Sequence, residues 1–186
     1  MDLAIFPPEI TQIILEYLPI KDLVRAERTS KLLQLFCLSE IERRIKTGAL
    51  KDEFGLLIHI GQTTAQPQQF DPITKTVQYI IPMDPITINT MYDHRRHIQC
   101  SLLRKQLIGN KYLSQHGFTI PVEKGMVEGK TIPFAIQDKH YQLDGSLTRM
   151  EPVTNKSSKK LSLAPTPLSY SLQVTGMRLP LSTIAA

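Results

Sequence analysis

The sequence predicts an α+β fold in three parts: a bundle of short helices, a small β-rich domain and an extended C-terminal arm. In residues 1–51 the apolar side chains recur at helical spacing. Residues 52–151 contain short runs of β-branched and aromatic side chains, bounded by Gly, Pro and Asp. Residues 152–186 are rich in Ser, Thr and Pro and have no regular apolar period. That composition predicts an extended or disordered segment.

The first helix is predicted by two prolines and one apolar face. Pro7 and Pro8 suit a helix start, because the first turn needs no N–H from them. Pro19 predicts the end of this helix at about Leu18. Between them, five apolar residues share one face at spacing i, i+3, i+4, i+7 and i+8: Ile10, Ile13, Ile14, Tyr17 and Leu18.

Three more short helices are predicted after the first. Asp22 is a candidate N-cap for the second helix, and Thr29 or Ser30 for the third. Ser39 is a candidate N-cap for a fourth helix, which Gly48 would end. Helices of this length are marginal in isolation, so they must pack on each other and on another surface.

The middle region is predicted to contain short strands at 54–61, 74–82, 118–122, 131–137 and 140–150. The polar segment 62–69 predicts a loop, and Asp144-Gly145 predicts a hairpin turn. Residues 84–109 are ambiguous, because a strand-like beginning precedes a segment, 93–107, with helical spacing. In that predicted helix, one face would carry Ile98, Leu102 and Leu103.

Length and composition are those of an ordinary globular chain. Its 186 residues are 41% hydrophobic and 21% charged, which permits a packed core. We expect no membrane span, because no stretch approaches the roughly 18 consecutive apolar residues that a transmembrane helix needs. The two cysteines, Cys37 and Cys100, favour a reducing compartment, so a cytoplasmic or nuclear location is expected.

Basic residues are unevenly distributed, although the net charge is only +5. The segment 94–122 contains arginines and lysines but no acidic residue. Its candidate contacts to an anionic partner are Arg95, Arg96, Arg104 and Lys105. The alternative interpretation is a solvated basic face. Nucleic acid binding is not favoured, because few aromatic side chains accompany the charge.

The sequence contains no glycine-rich phosphate loop, no G-x-S-x-G and no H-E-x-x-H motif. We therefore expect a protein that is not an enzyme and needs no cofactor. The strongest metal candidate is the set His94, His97 and Cys100, at spacing i, i+3 and i+6. His116 or His140 would have to supply a fourth ligand. The two intervening arginines disfavour a cation, so no metal site is predicted.

Residues 6 to about 36 resemble the F-box, the short helical module that connects substrate receptors to SCF-type ubiquitin ligases. Spacing holds without a gap from Pro7 through Arg25 in the motifs Phe6-Pro7-Pro8-Glu9-Ile10, Ile14-Leu15, Tyr17-Leu18-Pro19 and Asp22-Leu23-Val24-Arg25, and Thr29-Ser30-Lys31-Leu32-Leu33 follows. Phe6 stands where leucine is usual, and Leu33 stands where tryptophan is common. The resemblance implies an F-box-like bundle that docks on a Skp-type adaptor subunit through Phe6, Pro7, Ile10, Leu18, Leu23 and Val24.

Two functions follow as hypotheses. In the first, the chain is a non-enzymatic adaptor that binds a Skp-type subunit and presents a target protein through its C-terminal region. In the second, it is a structural subunit that cements a large assembly, such as a minor virion protein of a large DNA virus. The second hypothesis assigns contacts with assembly neighbours to residues 152–186.

Overall fold

A computed structural model describes residues 6–50, 54–58, 61–90, 97–105, 111–123, 125–151 and 168–186. The helices are α1 (Pro8–Glu16), α2 (Ile20–Ala26), α3 (Lys31–Lys46) and α4 (Leu181–Ile184). The strands are β1 (Phe54–Ile58), β2 (Gly61–Asp71), β3 (Thr76–Ile80), β4 (Ile86–Thr90), β5 (His97–Lys105), β6 (Tyr112–Pro121), β7 (Thr131–Gln137), β8 (Gln142–Arg149) and β9 (Leu168–Pro180). The predicted α+β fold, with helices first and a sheet after them, is confirmed.

The N-terminal helices begin at prolines and at one serine. Pro19 is the N-cap of α2, so the predicted cap Asp22 lies in the first turn instead. Ser30 caps α3, because its Oγ accepts a hydrogen bond from the N–H of Leu33 at 3.2 Å. The prediction of a fourth helix starting at Ser39 is wrong, since α3 continues through this position. None of the described helices is long and apolar enough to span a membrane.

The strands form one sheet in the order β6-β5-β1-β2-β3-β9-β8-β7, and every pairing between described strands is antiparallel. The first half of β2 pairs with β1, and its second half pairs with β3. Strand β9 has β8 on one side and both β3 and β4 on the other. Helix α3 packs on β2. In the core, the rings of Phe54 and Tyr79 meet edge to face at 5.8 Å.

Strand β2 replaces the loop predicted for residues 62–69. Its side chains alternate, with Ala65 and Phe70 buried and most of the threonines and glutamines facing water. A bulge between Pro67 and Gln69 accommodates the proline within the ladder. The polar composition led to the prediction of a loop, but a strand with one solvent-exposed face needs few apolar residues.

Strand β5 replaces the predicted helix within residues 93–107, of which the structure describes His97 to Lys105. Ile98, Cys100 and Leu102 are buried at alternate positions, which is the period of a strand. Pairing with β1 on one side and β6 on the other satisfies the backbone of this segment. Tertiary pairing therefore overrides the local helical spacing.

The hairpin turn predicted at Asp144-Gly145 is also wrong, because both residues lie within β8. A Cβ at Gly145 would lie 2.5 Å from the carbonyl oxygen of Gln173 and 2.5 Å from the Phe134 ring. Glycine is needed here for close approach of neighbouring strands rather than for a turn. The register shifts at this point, between Asp144 and Gly145.

The described part of the predicted C-terminal arm belongs to the chain's own sheet. Residues 168–180 form β9 in the interior of the strand order, and α4 follows directly. Leu172, Val174 and Met177 are buried, so apolar residues of this segment are covered within this chain. Residues 152–167, the rest of the predicted arm, lie outside the described residues.

The helices and the sheet are joined through polar contacts at their boundary. Glu27, which is 4% exposed, accepts hydrogen bonds from Lys75 Nζ at 2.8 and 3.0 Å. Helix α4 packs on α2, and Lys21 Nζ donates to the carbonyl oxygen of Ala186 at 3.0 Å. The Thr183 hydroxyl donates to the carbonyl oxygen of His140. The C-terminal residues therefore contact both the helical region and the sheet.

Candidate docking surface

The apolar face of α1 points outward. Its predicted face carried Ile10, Ile13 and Tyr17, and these side chains are 42%, 51% and 85% exposed. Phe6 and Ile14 are also exposed. The helix therefore leaves in water the side that ordinary amphipathic packing would bury.

A narrower stripe of α1 faces the chain's own core. Thr11 and Leu15, spaced i and i+4, are both buried. The Thr11 hydroxyl donates to the carbonyl oxygen of Pro7 at 3.3 Å, which satisfies this buried polar group inside the helix. Thr11 and Leu15 are thus the buried residues of α1, which packs on α3.

The first turns of α3 add two more exposed apolar residues. Leu32 and Leu35 are 48% and 70% exposed, while Cys37 and Ile41 of the same helix are buried. We call the exposed set of the two helices the apolar helix surface: Phe6, Ile10, Ile13, Ile14, Tyr17, Leu32 and Leu35.

A buried carboxylate holds the two helices together behind this surface. Glu40 of α3 accepts hydrogen bonds from Arg43 Nε and Arg44 Nε, each at 2.7 Å. Arg44 also donates to the carbonyl oxygens of Leu15 and Glu16 at the end of α1, at 3.0 Å each. Burial acts to raise the pKa of Glu40, but the two arginines outweigh it, so the pKa lies below its ordinary value. The ionised network fixes the C-terminus of α1 against α3.

The six residues predicted to contact a Skp-type subunit occupy different environments. Phe6, Pro7 and Ile10 are exposed, and Leu18 is half-buried. Leu23 and Val24 of α2 are 0% and 3% exposed, so both belong to the core of this chain.

The exposed residues that the prediction left out are Ile13, Ile14, Tyr17, Leu32 and Leu35. The first three share the predicted apolar face of α1 with Ile10, so the signal for them was present in the sequence. Leu32 and Leu35 lie in a stretch of α3 in which Gln34 is the only polar residue between Leu32 and Leu38, so the sequence does not show which leucines face water.

Of the four predicted basic contacts, the structure describes Arg104 and Lys105. Arg95 and Arg96 lie outside the described residues. Arg104 is engaged internally, because its guanidinium donates to the carbonyl oxygen of Ile184 at 2.8 Å and lies 5.6 Å from the centroid of the Phe54 ring. Lys105, the last residue of β5, is half-buried.

The candidate metal ligands are not brought together within the described residues. His97 is exposed and Cys100 is buried, because positions three apart on a strand face opposite sides. His94 lies outside the described residues. The rings of His116 and His140 stack at 4.4 Å. No group of three His, Cys, Asp or Glu side chains in the described part of the chain could hold a metal ion.

Both cysteines are free and buried. Burial, with a smaller effect from Glu27, raises the pKa of the Cys37 thiol to about 11. Burial raises the pKa of Cys100 to about 12. Since the thiolate is the reactive form, burial disfavours reaction of both thiols in the folded chain.

Comparison with known proteins gives one match. Residues 3–44 match the family model of the F-box domain. No curated protein and no solved structure matches the chain significantly. The match covers α1, α2 and most of α3, and therefore includes both helices that carry the apolar helix surface. The predicted F-box module is therefore confirmed as a match to the family model, and we call residues 3–44 the F-box domain of this chain.

Proposed function

We propose that the chain is an adaptor of an SCF-type ubiquitin ligase, which binds a Skp-type subunit through the apolar helix surface and presents a target protein through its sheet. F-box domains are adaptor modules that bind Skp-type subunits in SCF complexes. The cytoplasm or nucleus is the location that goes with this role.

The observation that carries the proposal is the concentration of exposed apolar side chains in the F-box domain. Seven of the twelve large hydrophobic side chains exposed among the described residues belong to the apolar helix surface. Single exposed apolar residues are ordinary, but several exposed on one small helical region favour a protein interface there. Aromatic side chains contribute strongly to such interfaces, and Phe6 and Tyr17 supply two of them.

The attachment of the helices to the sheet suits an adaptor. The buried Glu27 and its partner Lys75 connect the α2–α3 turn to the β2–β3 turn. Lys21 and Ala186 connect α2 to the C-terminus. Because several contacts join the two regions, a target bound on the sheet would keep a defined orientation to the ligase.

Co-purification with a Skp-type subunit tests the proposal. The Ile10→Asp variant places a charge in the apolar helix surface, and we expect at least about tenfold weaker binding, a cost of about 1.4 kcal/mol or more. The matched control is Ile73→Asp, because Ile73 is 90% exposed on the β2–β3 turn, outside the apolar helix surface. The control variant should bind as the original chain does.

Two outcomes contradict the proposal. One is a folded original chain that does not bind the Skp-type subunit at micromolar concentrations. The other is binding that Ile10→Asp and Ile73→Asp weaken equally. Thermal unfolding of each variant by circular dichroism separates lost docking from lost folding.

The second hypothesis, a cementing subunit of a large assembly, stays a prediction without added support. Its argument rested on residues 152–186 as an arm for neighbours. Residues 168–180 instead form β9 within the chain's own sheet. We therefore favour the adaptor.

A further inference from the structure

Five residues that are paired from strand to strand form a continuous row across the solvent side of the sheet. Gln69 of β2 is paired with Gln78 of β3, and Gln78 is paired with Arg178 of β9. Arg178 is paired in turn with Gln142 of β8, and Gln142 with Gln137 of β7. We call these residues the amide row: Gln69, Gln78, Arg178, Gln142 and Gln137.

The amide row faces water because the alternate positions on the same strands face the core. Val77 of β3, Leu179 of β9 and Leu143 of β8 are all buried. The row residues themselves are exposed or half-exposed. Its side chains therefore stand on a packed layer and face solvent, and the amide of Gln142 also donates to Asp144 Oδ1 at 3.4 Å.

A cavity of about 360 Å³ lies at the β2 end of the row. Gln69, Gln78 and Arg178 contribute to its wall, together with Asp71 at the end of β2 and Thr74 in the β2–β3 turn. This volume is within the range of about 300–1,000 Å³ that is usual for ligand pockets. A concave site and the amide row thus coincide.

Arg178 is the charge in this site that is free to bind. Among the described residues, its guanidinium has no hydrogen-bond or ion-pair partner. The carboxylate of Asp71 is occupied, since it accepts hydrogen bonds from the N–H groups of Ile73 and Thr74 and from the Thr74 hydroxyl. Asp71 therefore holds its own turn and does not neutralise Arg178.

The chemistry of the row suits a peptide chain with one carboxylate. Arginine only donates hydrogen bonds, in a fork that matches a carboxylate. Glutamine amides both donate and accept, as peptide groups do. Five neighbouring strands about 4.8 Å apart give the row a length of about 19 Å, which is the span of about six extended residues.

We propose that the amide row and its cavity bind an extended polar segment of a partner protein. This segment has one charged residue, an Asp or Glu, whose carboxylate binds Arg178. This inference rests on the proposed function in one respect: the partner would be the target that the adaptor presents. The contact itself does not depend on Skp binding.

The charges around Arg178 select a single carboxylate. Asp144 lies diagonally across from Arg178 in the next row of the same face, and Asp71 lies in the cavity wall. These two carboxylates repel further negative charge within the Debye length of about 8 Å at physiological salt. A run of acidic residues, or a phosphate with its two charges, fits less well than one carboxylate.

The test is capture of defined peptide pools by the full-length chain. Each pool has ten-residue peptides of randomised Gly, Ser, Thr and Gln, with a fixed central residue. The centres are Glu, Gln and phosphoserine, and a fourth pool has three consecutive Glu. We expect the Glu pool to be retained about tenfold more than the Gln pool, and more than the other two pools.

Arg178→Gln should remove the difference between the Glu and Gln pools, and Gln78→Ala should reduce retention of the Glu pool. Arg25→Gln is the matched control, because Arg25 is an exposed arginine on α2 that pairs with Asp22; it should retain the preference. Equal retention of the Glu and Gln pools, stronger retention of phosphoserine, or a preference that survives Arg178→Gln would overturn the proposal.

The inference and the proposed function fail separately. Arg178→Gln should leave Skp binding unchanged, since Arg178 lies on β9, outside the F-box domain. Ile10→Asp should leave peptide retention unchanged. If Ile10→Asp abolished peptide retention in a folded chain, the amide row would not be the peptide site.

Discussion

The F-box helices and the sheet are both amphipathic, but they turn opposite sides to water. The sheet buries most of its apolar residues and exposes a face rich in Gln, Ser and Thr, whereas α1 exposes Ile10, Ile13 and Tyr17. The sheet is held by continuous backbone pairing over nine strands. The helices depend on a thin core and on buried carboxylates such as Glu40. The sheet thus satisfies its backbone and most of its apolar surface internally, whereas the helices joined to it leave apolar side chains exposed.

Removing residues 168–186 should have the largest effect on stability. The deletion removes β9 from the sheet and also removes α4, which packs on α2. Strand β9 pairs with β3, β4 and β8, so its loss leaves three strands with an unpaired edge. We expect loss of cooperative unfolding in circular dichroism and rapid proteolysis. The control is Arg178→Gln, on the solvent side of the same strand. A truncated chain that still unfolds cooperatively would mean that β9 is an accessory strand.

Gly145→Ala should destabilise the sheet by about 3 kcal/mol, at the upper end of the range for overpacking. The new Cβ would meet the backbone oxygen of Gln173, which cannot move without disturbing β9. Gly176→Ala is the matched control. The nearest atom to its new Cβ would be the backbone carbonyl oxygen of Tyr79 at 3.8 Å, an ordinary van der Waals distance. Urea unfolding measures both variants. Equal free energies of unfolding would show that the strands adjust freely at the bulge.

Glu40→Gln should lower the free energy of unfolding at pH 7 by about 2 kcal/mol, because the amide leaves Arg43 and Arg44 without their carboxylate. Glu42→Gln is the control, since Glu42 is partly exposed and pairs with Lys46 on the surface. The cost of Glu40→Gln should be smaller than that of the sheet variant, because Arg43 remains 43% exposed to water.

The same carboxylate predicts a pH dependence. The pKa of Glu40 is lower in the folded chain than in the unfolded chain. Its contribution to stability is therefore fully present above the unfolded pKa of about 4.3 and is lost as the pH falls through the folded pKa. The difference between the original chain and Glu40→Gln should shrink below about pH 4. A constant difference down to pH 3 would contradict the ionised network.

Local signals in the sequence were sufficient for the F-box domain and for several strands. Pro19, the Ser30 cap and Gly48, which has a φ of 67°, predicted helix boundaries because each acts on the backbone within a few residues of itself. The segments 76–80 and 131–137 alternate or are β-branched and formed strands as predicted. These features need no distant partner.

Two of the wrong predictions share one cause, which is pairing between distant segments. Strand β5 is sandwiched between β1 and β6, so its helical spacing was overridden. Gly145 is explained by the approach of Gln173, which is distant in sequence. Strand β9 was assigned to an arm because residues 152–186 are rich in Ser, Thr and Pro, although Tyr170, Leu172 and Val174 alternate with polar residues as in a strand with one exposed face.

For the candidate site, the sequence by itself determined that α1 has an apolar face and that its motifs are those of an F-box. Only the tertiary structure decided which side of α1 meets water, because periodicity defines a face without naming its partner. The structure assigned Leu15, Leu23 and Val24 to the core and left Ile10 and Tyr17 outside. It also aligned the amide row, since residues from five strands become neighbours only when the sheet sets their register.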